Sequence, residues 1–196
     1  DGGFYSHGHL DHCADLMPLL FAMSQPPRRS VAYPIWAGNG FGSYLHQLRT
    51  VYGKWMEHCG LTLTELSTTG PDEVKIGPLT ICSAPANHTP EALHFRFEAC
   101  GYSVVFSGDT AESASLIRLA EGADLLVCEC GGSDDTPLAG HLTPSAIAAL
   151  ATKAQPREIW LTHFYPVVDR TLALNLVSRS GIPVRLANDG DYWSRP

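Results

Sequence analysis

The chain has 196 residues, 44% hydrophobic and 17% charged, with 18 glycines and 14 prolines. That length and balance favour one loop-rich domain, 1–196, with a core large enough to need no disulfide staples. Thirteen Lys and Arg against 20 Asp and Glu leave a net charge of −7, which disfavours an extended nucleic-acid surface, because such binding depends on neutralising many phosphates. No window approaches the ~18 consecutive apolar residues of a membrane span, and no basic-then-apolar targeting pattern opens the chain.

In chain order, Asp1-Gly2-Gly3-Phe4-Tyr5-Ser6 comes first and the densest chemical cluster follows at once. A site needs scaffold on both sides, so further N-terminal strands are expected ahead of Asp1. An apolar stretch predicts a helix over Ala14–Met23, followed by a strand over Val31–Trp36 and a helix over Ser43–His58. Strands are predicted at Leu61–Leu66, Leu79–Ala84, His94–Ala99 and Tyr102–Ser107, with Gly77-Pro78 and Cys100-Gly101 marking two hairpins. Helices over Ala111–Glu121, Pro144–Ala154 and Asp169–Ser180 then alternate with strands at Asp124–Glu129, Glu158–Thr162 and Val184–Ala187. The second of these helices has the sharpest start, with Thr143 as N-cap and Pro144 in the first turn. No repeat, low-complexity run or linker interrupts the series. Such alternation predicts a layered α/β domain.

Six cysteines, at 13, 59, 82, 100, 128 and 130, are too scattered for a disulfide framework. Strand alternation puts Cys128 and Cys130 on one face of an apolar run. They read as buried reduced thiols, and a cytoplasmic setting is expected.

The nine histidines are the unusual number. His7, His9, Asp11 and His12 fall within Ser6-His7-Gly8-His9-Leu10-Asp11-His12 and run on into an apolar helix. An extended or turning backbone directs the rings of His7 and His9 to one side. Imidazole and carboxylate suit Zn, Fe or Mn. One ion cannot use all four side chains from so tight a stretch, but two ions sharing the turn can. A solvated turn or an expression tag is the bland alternative; a tag would not carry an aspartate inside the pattern or lead into a core helix. His88, Asp109 and His163 each follow a predicted strand, the place where α/β folds put their chemistry. Alone, each is weak; together with the first cluster they point to a metal centre.

These residues carry a resemblance. His-x-His-x-Asp-His at 7–12, then His88, Ser-Gly-Asp-Thr at 107–110 and Leu-Thr-His at 161–163, is similar to the metallo-β-lactamase superfamily over residues 6 to 190. The resemblance implies an αββα sandwich with a dinuclear site at one edge of two sheets, and one or more strands ahead of the first histidine motif. It implies His7, His9 and His88 on one metal, Asp11, His12 and His163 on the other, and Asp109 bridging. Two divalent ions are expected, zinc foremost, with Mn or Fe as alternatives.

Within that superfamily the chain most resembles ribonuclease Z and related phosphodiesterases. Phe95-Arg96-Phe97-Glu98 matches that subgroup's hairpin, Gly140-His141-Leu142-Thr143 sits where it has an assisting histidine, and Glu129 where a glutamate orients that histidine. The chain departs at Cys128-Glu129-Cys130-Gly131, where only the glutamate is kept, at His94, which replaces a common glycine, and in lacking a Gly- and basic-rich arm. The resemblance implies hydrolysis of a phosphodiester by a water shared between two ions, which lower its pKa towards ~7 and clamp the substrate. Asp11 would accept a proton, His141 would stabilise the phosphate or protonate the leaving oxygen, and Glu129 would fix the tautomer of His141. A small diester or cyclic phosphate fits the acidic chain better than a transfer RNA precursor. Hydrolysis of a lactone, thioester or β-lactam is the alternative; an inactive metal-binding homologue and a redox diiron enzyme are weaker ones.

Among the rest, His46 and His58 read as surface or structural residues on a helix. His94 stands between structural and substrate-contacting roles. The aromatic side chains of Phe41, Tyr44, Tyr52 and Trp55 read as core or interface, with a substrate-facing wall as the alternative. A homodimer is left open.

Overall fold

The computed structural model describes residues 2–25, 31–53, 56 and 60–194. Its first sheet is parallel, formed by β1 (Gly3–Tyr5), β2 (Tyr33–Gly38) and β3 (Leu61–Leu66) in the order β1-β2-β3. The second has seven strands: β4 (Asp72–Ile76), β5 (Leu79–Pro85), β6 (Leu93–Ala99), β7 (Tyr102–Phe106), β8 (Leu125–Glu129), β9 (Ile159–Thr162) and β10 (Val184–Leu186). Strands β4 to β7 pair antiparallel as a meander, and β7 to β10 pair parallel. The helices are α1 (Leu10–Cys13), α2 (Leu16–Ser24), α3 (Phe41–Tyr52), α4 (Ala114–Leu119), α5 (Pro144–Ala154) and α6 (Arg170–Ser178).

Alternation along the strands sorts the apolar residues into three layers of core. Ile35 and Ala37 of β2 face α2 and α3, where Leu16, Leu20, Phe41 and Leu45 are buried. Phe4 and Trp36 point the other way and meet Phe95 and Phe97 of β6 between the sheets. On the far side, Val105, Leu126, Cys128, Ile159 and Leu161 pack against Leu116, Ile147, Leu150 and Val177 of α4, α5 and α6. Helices thus cover the outer face of each sheet, which is the expected αββα arrangement. Each fully buried Leu or Ile contributes on the order of 1.5–3 kcal/mol.

Differences from the predicted elements have local causes. Two short strands, β1 and β4, carry no long apolar signal, and hydrogen bonding to neighbours alone defines them. The helix predicted over Ala14–Met23 is α2, which starts two residues later at Leu16 and carries Pro18 in its first turn, where the missing N–H is tolerated, and the short α1 precedes it at Leu10–Cys13. The strand predicted at Val31–Trp36 sits two residues later. Instead of Ser43–His58, α3 ends at Tyr52, where Gly53 takes φ +51°; Trp55, His58 and Cys59 lie outside the described residues, as do Arg28 and Arg29. The helix predicted from Ala111 starts at Ala114, since the Thr110 and Ala111 N–H groups are taken by Glu129 and Asn87 and Ser113 supplies the cap. Cys100 and Gly101 both have positive φ, the backbone of a tight two-residue hairpin.

Candidate metal centre

Strands β5, β7, β8 and β9 run in the same direction, so their carboxyl ends share one edge of the large sheet, and β1 ends beside them. His88 follows β5, Asp109 follows β7, Glu129 ends β8 and His163 follows β9. His7 and His9 follow β1, while Asp11 and His12 lie on α1. Ligands in α/β sheets sit at this edge because the loops there converge. His163 has φ +56°, a left-handed backbone unusual for a non-glycine residue, which turns its ring back over the strand ends. Gly108 brings the Asp109 loop so close to Ser6 that a Cβ there would stand 2.9 Å from the serine's own Cβ.

Asp109 is the hub. Its Oδ2 lies 3.2 Å from His12 Nε2, 3.6 Å from His163, 3.7 Å from His7 and 3.8 Å from His88. The donor atoms of His7, His9, His88 and Asp109 all lie within 4.8 Å of one another, as do those of Asp11, His12 and His163. Asp11 Oδ2 is 3.1 Å from His163 Nε2 and 3.3 Å from His12 Nε2. All seven residues singled out as ligands are therefore brought together, in two groups that meet at Asp109. Ring nitrogens face each other closely, His9 Nδ1 with His88 Nε2 at 3.1 Å and His12 Nε2 with His163 Nε2 at 3.3 Å. His7 Nε2 and Asp109 Oδ1 are buried and have no hydrogen-bond partner. Burying such atoms unpaired is costly, and a divalent cation satisfies them at once. The residues fit the metal.

The electrostatics follow from burial and neighbours. Burial, with cationic neighbours, lowers the His7 pKa to about 4, so the ring is neutral and one of its two nitrogens is free of a proton. Burial opposes ionisation of Asp109, but the hydrogen bond and charge of His12 outweigh it and hold the carboxyl below the usual range. In turn Asp109 and Asp11 raise His12, against its burial.

Beside this cluster stands His141. Its ring stacks on His163 with centroids 5.5 Å apart and meets His88 edge-on at 5.2 Å. Its Nδ1 is 3.2 Å from Glu129 Oε1, and burial lowers its pKa. Glu129 also accepts backbone N–H bonds from Thr110, Gly131 and Leu142. Burial pushes the Glu129 carboxyl up to about 8 against those donors. The charge of Asp109 pushes it the same way, while three backbone N–H groups and the His141 ring supply donors that favour the carboxylate. The donor atoms of Asp109, His141 and His163 form a third close group, within 4.8 Å of one another.

The other candidates lie elsewhere. His94 is fully buried, bonded to the Ser107 carbonyl and Ser113 Oγ, and is not a substrate contact. His46 is exposed on α3. Phe41 and Tyr44 pack in the core beneath α3, and Tyr52 lies with Met17, Pro18 and Phe21, so none of these forms a wall of the site. Residues not singled out in the sequence complete the surroundings. Tyr165 packs edge-on against both His141 and His163 and is partly exposed at the mouth; its signal was an aromatic two positions after the strand-end histidine. On the inner side, a cavity of about 450 Å³ lies between the sheets, with His12, Asp109 and His163 at one end and Phe4, Phe97 and Phe106 among its walls.

Residues 1–164 match the profile described as the beta-lactamase superfamily domain. The uncharacterized protein Rv1339 of Mycobacterium tuberculosis is 31% identical over 170 residues, covering 84% of this chain and 62% of that protein. The chain thus spans about three fifths of the length of its mycobacterial relatives. Among solved structures, the metallo-beta-lactamase fold protein YhfI of Bacillus subtilis superposes with TM-score 0.82 at 24% identity, over 98% of this chain and 78% of that one. The short form of human tRNase Z does so with TM-score 0.73 at 20% identity, again over 98% and 78%. Profile, relatives and fold agree: the chain belongs to the metallo-β-lactamase superfamily.

Proposed function

We propose that the 196 residues act as one domain of a dinuclear metal-dependent hydrolase that cleaves a small phosphodiester or cyclic phosphate. The observation that carries this reading is Asp109 Oδ2 within 3.2–3.8 Å of four histidine nitrogens, with the His141–Glu129 pair alongside. His7, His9 and His88 would hold one divalent ion, Asp11, His12 and His163 the second, and Asp109 both. Zinc suits the imidazole-rich set, with Mn and Fe as alternatives. Such a pair of ions supplies an acidified water and neutralises charge on the substrate's non-bridging oxygen.

The chain's own groups do the rest. Asp11, whose carboxylate is 57% exposed at the mouth, is held below the usual range against its burial by the hydrogen bond from His163, so it is ionised and can take a proton from the attacking water. Glu129 accepts from His141 Nδ1 and thereby points Nε2 towards the site. From there His141 donates to the phosphate or to the leaving oxygen, which is of most use when the leaving group is a poor alkoxide. Tyr165 walls the mouth beside it. The free thiols of Cys13, Cys82, Cys100, Cys128 and Cys130 support a reducing, cytoplasmic setting, and among the described residues no helix is long and apolar enough to cross a membrane.

The test is metal analysis joined to a substrate panel. Protein purified without chelator should hold close to two equivalents of transition metal, and kcat/KM should be higher for an activated phosphodiester than for a lactone, thioester or β-lactam. Metal content near zero after reconstitution with zinc or manganese overturns the metal centre. A lactone or thioester preferred by about tenfold or more, equivalent to ~1.4 kcal/mol of transition-state binding, moves the assignment to carbonyl chemistry.

A further inference from the structure

The loops that carry His7 and His9 on one side and His88 on the other come from different sheets, and their rings converge only if the two loops are held in register. Two hydrogen bonds tie them. The Leu93 N–H donates to the Ser6 carbonyl at 2.9 Å, and the Gly8 N–H donates to Glu91 Oε1 at 3.2 Å. Gly8 lies between the two histidines, and its N–H belongs to the His7–Gly8 peptide, so holding that peptide guides the chain from His7 to His9. Glu91 itself has little freedom. It sits in a turn closed by Ala86 N–H to the Ala92 carbonyl at 2.8 Å and Ala92 N–H to the Thr89 carbonyl at 3.0 Å. Its carbonyl is packed directly on Gly38 at the end of β2, where a Cβ would stand 1.9 Å from that oxygen. The carboxylate is thus delivered from a rigid turn to the peptide that links His7 to Gly8, one residue before His9.

We infer that Glu91 is a positioning residue of the metal centre, its carboxylate holding the Gly8 peptide so that His7 and His9 converge with His88 on one cation. This rests on the reading of the cluster as a metal site. Glu91 touches no ligand ring by hydrogen bond and acts through Gly8. A residue that merely stapled the sheets would change stability without changing affinity for the ion.

The experiment measures zinc affinity of the whole chain by competition with a chromophoric chelator, for the wild type and for Glu91→Ala, Glu91→Asp and Glu91→Gln. Alanine removes the acceptor, and aspartate keeps the charge but falls short of Gly8. Each should weaken the tighter zinc site about tenfold or more, the usual effect of losing a group that orients ligands. Glutamine keeps an acceptor oxygen at the same reach and should stay within about threefold. With metal stripped, all three should melt within about 4 °C of the wild type, since one half-buried hydrogen bond is at stake. Zinc affinity of Glu91→Ala within about twofold of the wild type overturns the inference, as does a glutamine variant as weak as alanine. If alanine fails to fold, the aspartate variant decides in the same way. A wild type that binds no zinc at all removes the metal reading and this inference with it, a result distinct from intact binding that ignores Glu91.

Discussion

Single side chains at the site are oriented by their second nitrogen or by a neighbouring backbone. His88 Nδ1 donates to the Gly140 carbonyl at 3.0 Å, which leaves Nε2 with its lone pair towards Asp109 and His9. Gly140 has φ +80°, and a Cβ there would stand 2.6 Å from His88 Nδ1. Gly140→Ala is therefore doubly disfavoured and should cost about 1–3 kcal/mol in urea unfolding. It should also weaken zinc binding, because His88 must move to make room. A variant with wild-type zinc affinity would show that the ring has another acceptable position. His141→Ala separates acid from ligand. Phosphodiester turnover should fall by ~10²–10⁴ while bound metal is unchanged. Loss of metal instead would make His141 a ligand, a role open to it because its donor atom lies with those of Asp109 and His163.

Where elements meet, His94 is the joint with the clearest pH signature. It lies in β6, bonds to the Ser107 carbonyl beyond the end of β7 and to Ser113 Oγ at the cap of α4. Burial lowers its pKa to about 4 from 6.5. The unfolded chain therefore binds the proton more readily, and the stability that neutral His94 contributes is complete above pH 6.5 and lost as pH falls towards 4. The loss amounts to about 3 kcal/mol for such a shift. Unfolding of metal-free protein measured across pH 4–7 should show this slope, and His94→Gln should flatten it by that amount. Parallel pH profiles for the two proteins would place the titrating group elsewhere. In the loop after β9, Asp169 caps α6 by accepting from the Thr171 and Leu172 N–H groups. Asp169→Ala should cost about 1 kcal/mol and leave turnover unchanged.

Considered whole, the molecule gathers its candidate ligands from both sheets, so ions bound there would also act as a clasp. Removing metal with chelator should lower the melting temperature, and restoring zinc at ~100 times its Kd should return about 2.7 kcal/mol. Equal melting curves with and without zinc would mean that the ligand loops are already held by protein contacts alone. The net charge of −7 acts at the same scale. A transfer RNA precursor must be gripped along many phosphates, and ions at the site would attract only the one beside them. Efficient release of a 3′ trailer at micromolar RNA and physiological salt would overturn the preference for a small diester.

Read alone, the sequence already determined the candidate ligands and the order of the elements that carry them. The His7–His12 spacing, the polar residues His88, Asp109 and His163 after apolar runs, and the capped helix at Pro144–Ala154 are local patterns: period, cap and strand end are each written within a few residues. The alternation that buries Cys128 and Cys130 on one face and turns Glu129 to the other is of the same kind. Tertiary structure decided what depends on contacts between distant segments. That β1 and β4 are strands depends on their neighbours, since three and five residues without an apolar run have no stability of their own. That His94 is a buried joint while His141 stands beside the candidate ligands depends on which side of β6 and which loop meets the strand ends. The roles of Glu91, Gly140 and Tyr165 were equally closed to inspection, because each acts on a histidine through a peptide, a carbonyl or a ring that only the folded chain brings within reach.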